Sequence, residues 1–317
     1  VGVAKKFYNV RWLSSALFLW LLNNVMKNLH VEASTYCNAR CPLCPRSLHG
    51  YKVEGVYPEV HLSVDKFKEA LERFPAREHV YFNGHLGDPM MNPKIVELAE
   101  QTRCRTSVTS NGGIGTKDTW EALAELGVEA RFSIDGLEDT NHLYRQDVKW
   151  DKIMERAKWF IGAGGYASWK WIPFSHNSHQ EDETRKFALG MGFQGFTVED
   201  HGRSHGPALD REGNITHWIL PRDGSLKPGN YDVPAGIKRY KQTHQNFQVE
   251  DKVYDVQCEH LRFEDTYINA KGQVGPCCYH GYDMPGRPFV KLEDHHKLMA
   301  TWKTKKCNPV CANTCGN

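Results

Sequence analysis

The sequence predicts an α/β protein: a parallel sheet flanked by helices, followed by a small cysteine-rich tail. Three observations carry this. Strand-like and helix-like runs alternate six times between residues 29 and 200. Three of the ten cysteines crowd into Cys37–Cys44, directly after the first strand-like run. Six more fall between Cys258 and Cys315. Successive β–α units imply a parallel sheet with helices outside it. Six units rather than eight make an open, partial (β/α)6 TIM barrel. The expected plan is an N-terminal helical extension (1–28), the partial barrel (29–200), a connecting region (201–254) and a small C-terminal domain (255–317).

The elements follow in order. Leu29–Thr35 reads as the first strand. A helix is expected at about Ser63–Arg73, with Ser63 as its N-cap. Val80–Asn83 is the second strand and Pro93–Arg103 the next helix. Arg105–Ser110 is the third strand, with a helix near Lys117–Leu126. Val128–Ile134 is the fourth, with a helix near Lys149–Ile161. Ala167–Pro173 is the fifth, with a helix near Asp182–Gly190, and Gln194–Val198 is the sixth. Residues 200–256 are rich in Gly, Pro, His and Asp and read as loops and short elements. His201 and His205 are four apart, but Gly202 and Gly206-Pro207 argue against a helical zinc pair there. In the tail, Asp265–Asn269 and Gln273–Pro276 read as a hairpin, and Leu292–Lys303 as a helix.

Composition excludes some classes. At 40% hydrophobic and 25% charged, the chain is an ordinary soluble globular protein. A net charge of +2 predicts no nucleic-acid partner. Trp12–Leu22 is apolar but too short to span a bilayer, and no clear signal-peptide cleavage site follows it. It reads as an amphipathic helix packed on the body or on a partner, and a cytoplasmic location is expected.

The cysteine run Cys37-Asn38-Ala39-Arg40-Cys41-Pro42-Leu43-Cys44 carries the chemistry. Clustered thiolates prefer soft metals, and bunched cysteines read as metal or iron–sulfur ligands before disulfides. Three thiolates on a four-iron cluster leave one iron open. The alternative is a structural zinc or cluster with its fourth ligand elsewhere. The C-x3-C-x2-C spacing after a first strand resembles the signature of the radical S-adenosylmethionine (SAM) enzymes. The resemblance implies a partial TIM barrel, with the site at the C-terminal strand ends.

Further motifs match the family. Asn83-Gly84-His85-Leu86-Gly87-Asp88-Pro89 resembles its Gly-Gly-Glu-Pro run, which binds the SAM amino group. Leu86 stands for the first glycine and Asp88 for the glutamate. Ser110-Asn111-Gly112 is similar to the family's Thr-Asn-Gly. Ser133-Ile134-Asp135-Gly136, with Arg145 twelve residues beyond Ser133, matches members that carry a C-terminal cluster domain. There the serine and arginine contact the ribose and carboxylate of SAM, and a guanidinium suits a carboxylate. Leu43 takes the place of an aromatic near the adenine. The implied SAM contacts are Leu43, Gly84, His85, Gly87, Asp88, Asn111, Ser133 and Arg145. Asp135 reads as a structural acid.

The tail resembles a SPASM or shorter twitch domain, which holds auxiliary [4Fe–4S] clusters. Six cysteines imply one such cluster, with four ligands among Cys258, Cys277, Cys307, Cys311 and Cys315; a zinc knuckle is the alternative. Cys278 stands where sulfatase-maturing relatives have a catalytic aspartate. As a catalytic candidate it could donate a hydrogen atom or proton; a spare ligand and a buried bystander are its other roles. Cys104, beside a strand, reads as a buried thiol.

The resemblance implies reductive cleavage of SAM at the first cluster to a 5′-deoxyadenosyl radical, which abstracts hydrogen from a substrate. An external one-electron donor of flavodoxin or ferredoxin type is implied. A peptide or protein side chain, oxidised or cross-linked, is the leading substrate. A small sugar- or aminocyclitol-like molecule is the alternative, favoured by the lack of a recognisable leader-binding domain before residue 30. A non-enzymatic electron-transfer or scaffold protein is the remote third reading.

Overall fold

The computed structural model describes residues 27–76, 78–199, 205–245, 265–275, 277 and 291–294. Six parallel strands pair in chain order: β1 (Asn28–Val31), β2 (His79–Asn83), β3 (Arg105–Ser110), β4 (Glu129–Ser133), β5 (Ala167–Trp171) and β6 (Gly195–Val198). Between them lie α1 (Val64–Arg73), α2 (Ile95–Ala99), α3 (Lys117–Glu125), the short α4 (Asn141–Tyr144), α5 (Trp150–Gly162) and α6 (Glu181–Gly190). Ser63 caps α1 by accepting the Lys66 N–H, and Thr116 caps α3 in the same way.

The core lies between strands and helices. Outward strand residues such as Val80, Phe82, Phe132 and Trp169 are all at most 1% exposed. Phe132 stacks on Trp120 of α3 at 5.0 Å, and Phe67 of α1 meets Phe82 at 5.5 Å. Each such burial stabilises by roughly 1.5–3 kcal/mol. The opposite, inward positions are polar: His30, Tyr81, Asn83, Ser133 and Lys170. Parallel strands pack helices on one face only here, so the other face is free to line a cavity.

The sheet is larger than six strands. β9 (Asp265–Ile268) runs parallel to β1, and β10 (Val274–Gly275) pairs antiparallel with β9. The order is β10-β9-β1-β2-β3-β4-β5-β6. The hairpin expected in the tail is therefore present, and it extends the barrel sheet.

Other expectations shift. β1 stops at Val31, not Thr35: beyond it Glu32 still donates its N–H to Ile268 O, while Ser34 bridges to His61. The helix expected at 93–103 shortens to α2, preceded by a 3-10 turn at Pro89–Met91. The region read as loops holds an antiparallel pair, β7 (Gly206–Leu209) and β8 (Ile215–Ile219), and a 13-residue helix, α7 (Val233–Gln245). Ile237 and Tyr240 of α7 pack on Leu48, Val53 and Val56 in a second small core. Cys104 is only partly buried. Of the tail helix, Leu292–Asp294 forms a 3-10 turn; the rest lies outside the described residues, as does the N-terminal segment. Among the described residues no helix is long and apolar enough to cross a membrane.

Candidate active site

A cavity of about 790 Å³ opens at the C-terminal ends of the strands, within the usual size range of small-molecule sites. Cys37, Cys41 and Cys44 line it from the loop after β1. Cys41 is 7% exposed. The loop is a series of tight turns: Cys44 N–H donates to Cys41 O, and Ser47 N–H to Cys44 O. Polar donors approach the sulfurs. Ala39 N–H lies 3.4 Å from Cys37 Sγ, Asn111 Nδ2 3.8 Å from the same sulfur, and Arg145 Nη1 3.6 Å from Cys41 Sγ. Burial pushes the Cys37 thiol up, and the charges of Asp88, Cys41 and Cys44 push it further. Three thiols lining one cavity, each opposing ionisation of the next, need a cation to be ionised together.

The loop after β2 faces them. Gly84, His85, Gly87 and Asp88 all line the cavity. The two glycines are required by space. A Cβ on Gly84 would lie 1.8 Å from Gly87 O, and one on Gly87 2.1 Å from Ser34 O. The loop is a bare-backbone cradle, which suits close approach of a ligand.

Asp88 and Asn111 carry structural duties as well. Asp88 is 4% exposed. Its carboxylate accepts from Ser110 Oγ at 2.9 and 3.0 Å, Asn111 N–H at 2.8 Å and Met90 N–H at 3.0 Å. Burial raises its pKa, against these hydrogen bonds and the nearby Arg145 charge. Asn111 donates from Nδ2 to Asn38 Oδ1 at 2.9 Å, tying the end of β3 to the cysteine loop.

Ser133 and Arg145 also line the cavity. Arg145 donates to Asp135 Oδ2 at 2.6 Å and lies 5.3 Å from the Tyr144 ring centroid. Burial opposes its charge, but Asp135 and Cys41 hold its pKa above the usual guanidinium value. Asp135 is the structural acid expected: fully buried, it also accepts the Ile172 N–H at 2.7 Å. Leu43 stands apart. It packs against the main core and is not among the cavity's lining residues.

Several lining residues were not singled out in the sequence. His30 forms the floor, its ring 5.0 Å from both Tyr81 and Tyr267, with Nε2 bonded to Asn83 O. Lys170 of β5 and Glu199, just past β6, form an ion pair at 2.6 Å on the far wall. Strand alternation was the available signal, since Lys170 sits between the buried Trp169 and Trp171. Glu32 is fully buried and accepts from the backbone N–H groups of His85, Leu86 and Gly87.

In the tail, Cys277 is 5% exposed and stands two residues past the end of β10. Cys258, Cys278, Cys307, Cys311 and Cys315 lie outside the described residues, as does His201.

The donor set fits an iron–sulfur group: three soft sulfurs, no competing carboxylate ligand, and N–H groups aimed at sulfur. Among the described residues no three His, Cys, Asp or Glu side chains close on a point for a single metal ion. A cubane needs its thiolates at separate corners, so this arrangement is compatible with it. Beside the sulfurs are a bare-backbone cradle, a hydroxyl and a guanidinium.

Comparisons with known proteins bear on this site. A family model described as the Radical SAM superfamily matches residues 31–175. The chain is similar to a tungsten-containing aldehyde ferredoxin oxidoreductase cofactor-modifying protein of Pyrococcus furiosus. The two are 31% identical over 271 residues, covering 80% of this chain and 71% of that protein. Among solved structures, Streptococcus suis SuiB bound to precursor peptide SuiA superposes with a TM-score of 0.57 at 14% identity, covering 98% of this chain and 77% of that one. Native anSMEcpe with bound AdoMet gives 0.55 at 15% identity, covering 91% and 82%. At these identities the structures speak for the fold alone.

Proposed function

Because the chain belongs to the radical SAM superfamily, we propose that Cys37, Cys41 and Cys44 hold its [4Fe–4S] cluster and that SAM occupies the adjoining cavity. The single observation carrying this assignment is that the three cysteines, the 84–88 loop, Ser133 and Arg145 line one cavity. When bound, the cluster and SAM supply one-electron reductive cleavage and a 5′-deoxyadenosyl radical; an external flavodoxin- or ferredoxin-type donor supplies the electron. The protein binds, orients and excludes water. Carbonyls of the 84–87 cradle accept from the SAM ammonium, and Asp88 adds its charge from the loop's end. Arg145, its Nε held by Asp135, offers its remaining N–H groups to the SAM carboxylate. Ser133 bonds the ribose. Asn111 fixes the cysteine loop against β3. His85 borders the cavity from the cradle.

The substrate fills what SAM leaves. We assign a peptide or protein side chain, oxidised or cross-linked, as the leading substrate; the open strand-end mouth admits a projecting side chain. A second reading, an organic cofactor or other small molecule, is favoured by the 31%-identical relative named for cofactor modification. Cys277, with others of the tail cysteines, is assigned to an auxiliary [4Fe–4S] cluster, and Cys278 is kept as the catalytic candidate, a donor of a hydrogen atom or proton.

The test is anaerobic reconstitution followed by assay for 5′-deoxyadenosine. The wild type is expected to form it with SAM and a low-potential reductant. Replacing Cys37, Cys41 and Cys44 together by alanine is expected to abolish it and remove one cluster's iron. Unchanged turnover in that triple variant overturns the assignment.

A further inference from the structure

We infer that Glu32, held by Tyr267, is a positioning residue that sets the backbone of the 84–87 cradle for SAM. The inference rests on the assignment of that cavity to SAM. Glu32 sits just past β1, five residues before Cys37, and is fully buried. Its carboxylate takes four hydrogen bonds, all from donors. Leu86 and Gly87 N–H groups donate to Oε1, each at 2.9 Å. His85 N–H donates to Oε2 at 2.9 Å, and Tyr267 Oη to the same oxygen at 2.5 Å. Only an acceptor on both oxygens satisfies this set. An amide would turn its NH2 either against the Leu86 and Gly87 N–H groups or against the His85 N–H, since of the four donors only the Tyr267 hydroxyl can turn to accept.

The consequence is directional. The peptide unit is planar and trans, so each N–H points opposite to the carbonyl of the preceding residue. With three successive N–H groups drawn to Glu32, the carbonyls of Gly84, His85 and Leu86 are turned away from β1. They form a set of acceptors suited to an ammonium group. Glu32 itself is not among the cavity's lining residues, so it acts on a ligand only through this backbone. Tyr267 lies on β9, so a residue from the C-terminal hairpin fixes the carboxylate that fixes the cradle. Cys277 follows that hairpin, and the Tyr267–Glu32 hydrogen bond, beside the packing of Tyr267 on His30, links the tail to the SAM-binding wall.

The test uses the full reconstituted chain and the variants Glu32→Gln and Tyr267→Phe, with SAM as the probe. Equilibrium SAM binding and the kinetics of 5′-deoxyadenosine formation are measured and normalised to folded, cluster-loaded protein. Glu32→Gln is expected to raise the SAM Kd and KM about ten- to a hundredfold, the scale for a hydrogen-bonded buried charge. Its kcat at saturating SAM should change far less, because the loss is one of ligand binding. Tyr267→Phe removes one donor of the four and should raise Kd less, in the same direction. It also carries the test if Glu32→Gln does not fold. Wild-type Kd and KM in the folded variants, or losses that only follow the folded fraction, overturn the inference. A wild type that neither binds SAM nor cleaves it overturns instead the assignment of the cavity.

Discussion

His176 stacks on Phe174 at 5.4 Å with both ring nitrogens buried and, among the described residues, lacking hydrogen-bond partners. Burial, and then the neighbouring His217, His142 and His179, lower its pKa from 6.5 to about 4. Between those values the unfolded chain binds a proton that the folded chain refuses. Stability is therefore present in full above about pH 6.5 and falls as pH drops towards 4. His79, lowered to about 4 by burial and by Arg105 and Arg131, acts in the same sense. Replacing His176 by phenylalanine should flatten the decline of the melting temperature between neutral pH and pH 5; an unchanged slope would remove His176 as a contributor. At this scale the sequence was legible wherever chemistry demands a rare residue type. The three clustered cysteines announce themselves by spacing alone. Glu32 did not, because an acid in a strand-like run looks the same whether it faces water or three backbone amides.

The helices were legible where a stripe of large apolar residues meets the sheet. Trp120 shows why. It is fully buried, stacked on Phe132 and bonded through Nε1 to Ile114 O. Trp120→Ala should cost about 3–5 kcal/mol in denaturant unfolding, from lost transfer energy and the cavity left behind. A loss below about 1 kcal/mol would show that the neighbouring rings collapse into the space. By contrast α7 packs Ile237 and Tyr240 on a core of just three buried residues among those described, with Tyr240 Oη bonded to Pro45 O. Two apolar residues three apart, after a proline at position 234, fall below what periodicity can separate from a loop. The end of β1 was overread for a related reason. Glu32-Ala33-Ser34-Thr35 keeps strand-like polarity, but past the Glu32 N–H to Ile268 O bond it turns to residues 60–62 through one isolated bridge, Ser34–His61, rather than continuing the parallel ladder.

For the whole molecule, the order of β1–β6 followed directly from the strand–helix alternation, whereas the attachment of β9 to β1 did not. Hydrophobic patterning marks a strand but not its neighbour, and this neighbour is more than two hundred residues away. With Cys277 assigned to an auxiliary cluster, Cys277→Ala should lower the iron content by one cluster while the SAM-cleaving cluster's spectrum persists. Full iron retention would remove Cys277 from the ligand set. The β9–β1 pairing also orders events during synthesis. Until residue 265 has left the ribosome, β1 is an unpaired edge, a template for strand addition by another chain. The Asn28–Asp265 and Glu32–Tyr267 hydrogen bonds close loops of 237 and 235 residues, so they carry a late entropic cost. The six-strand barrel can consolidate while its first strand still lacks one neighbour. The cysteine loop, whose Cys37 lies six residues past Val31, then follows directly on an edge still open on one side.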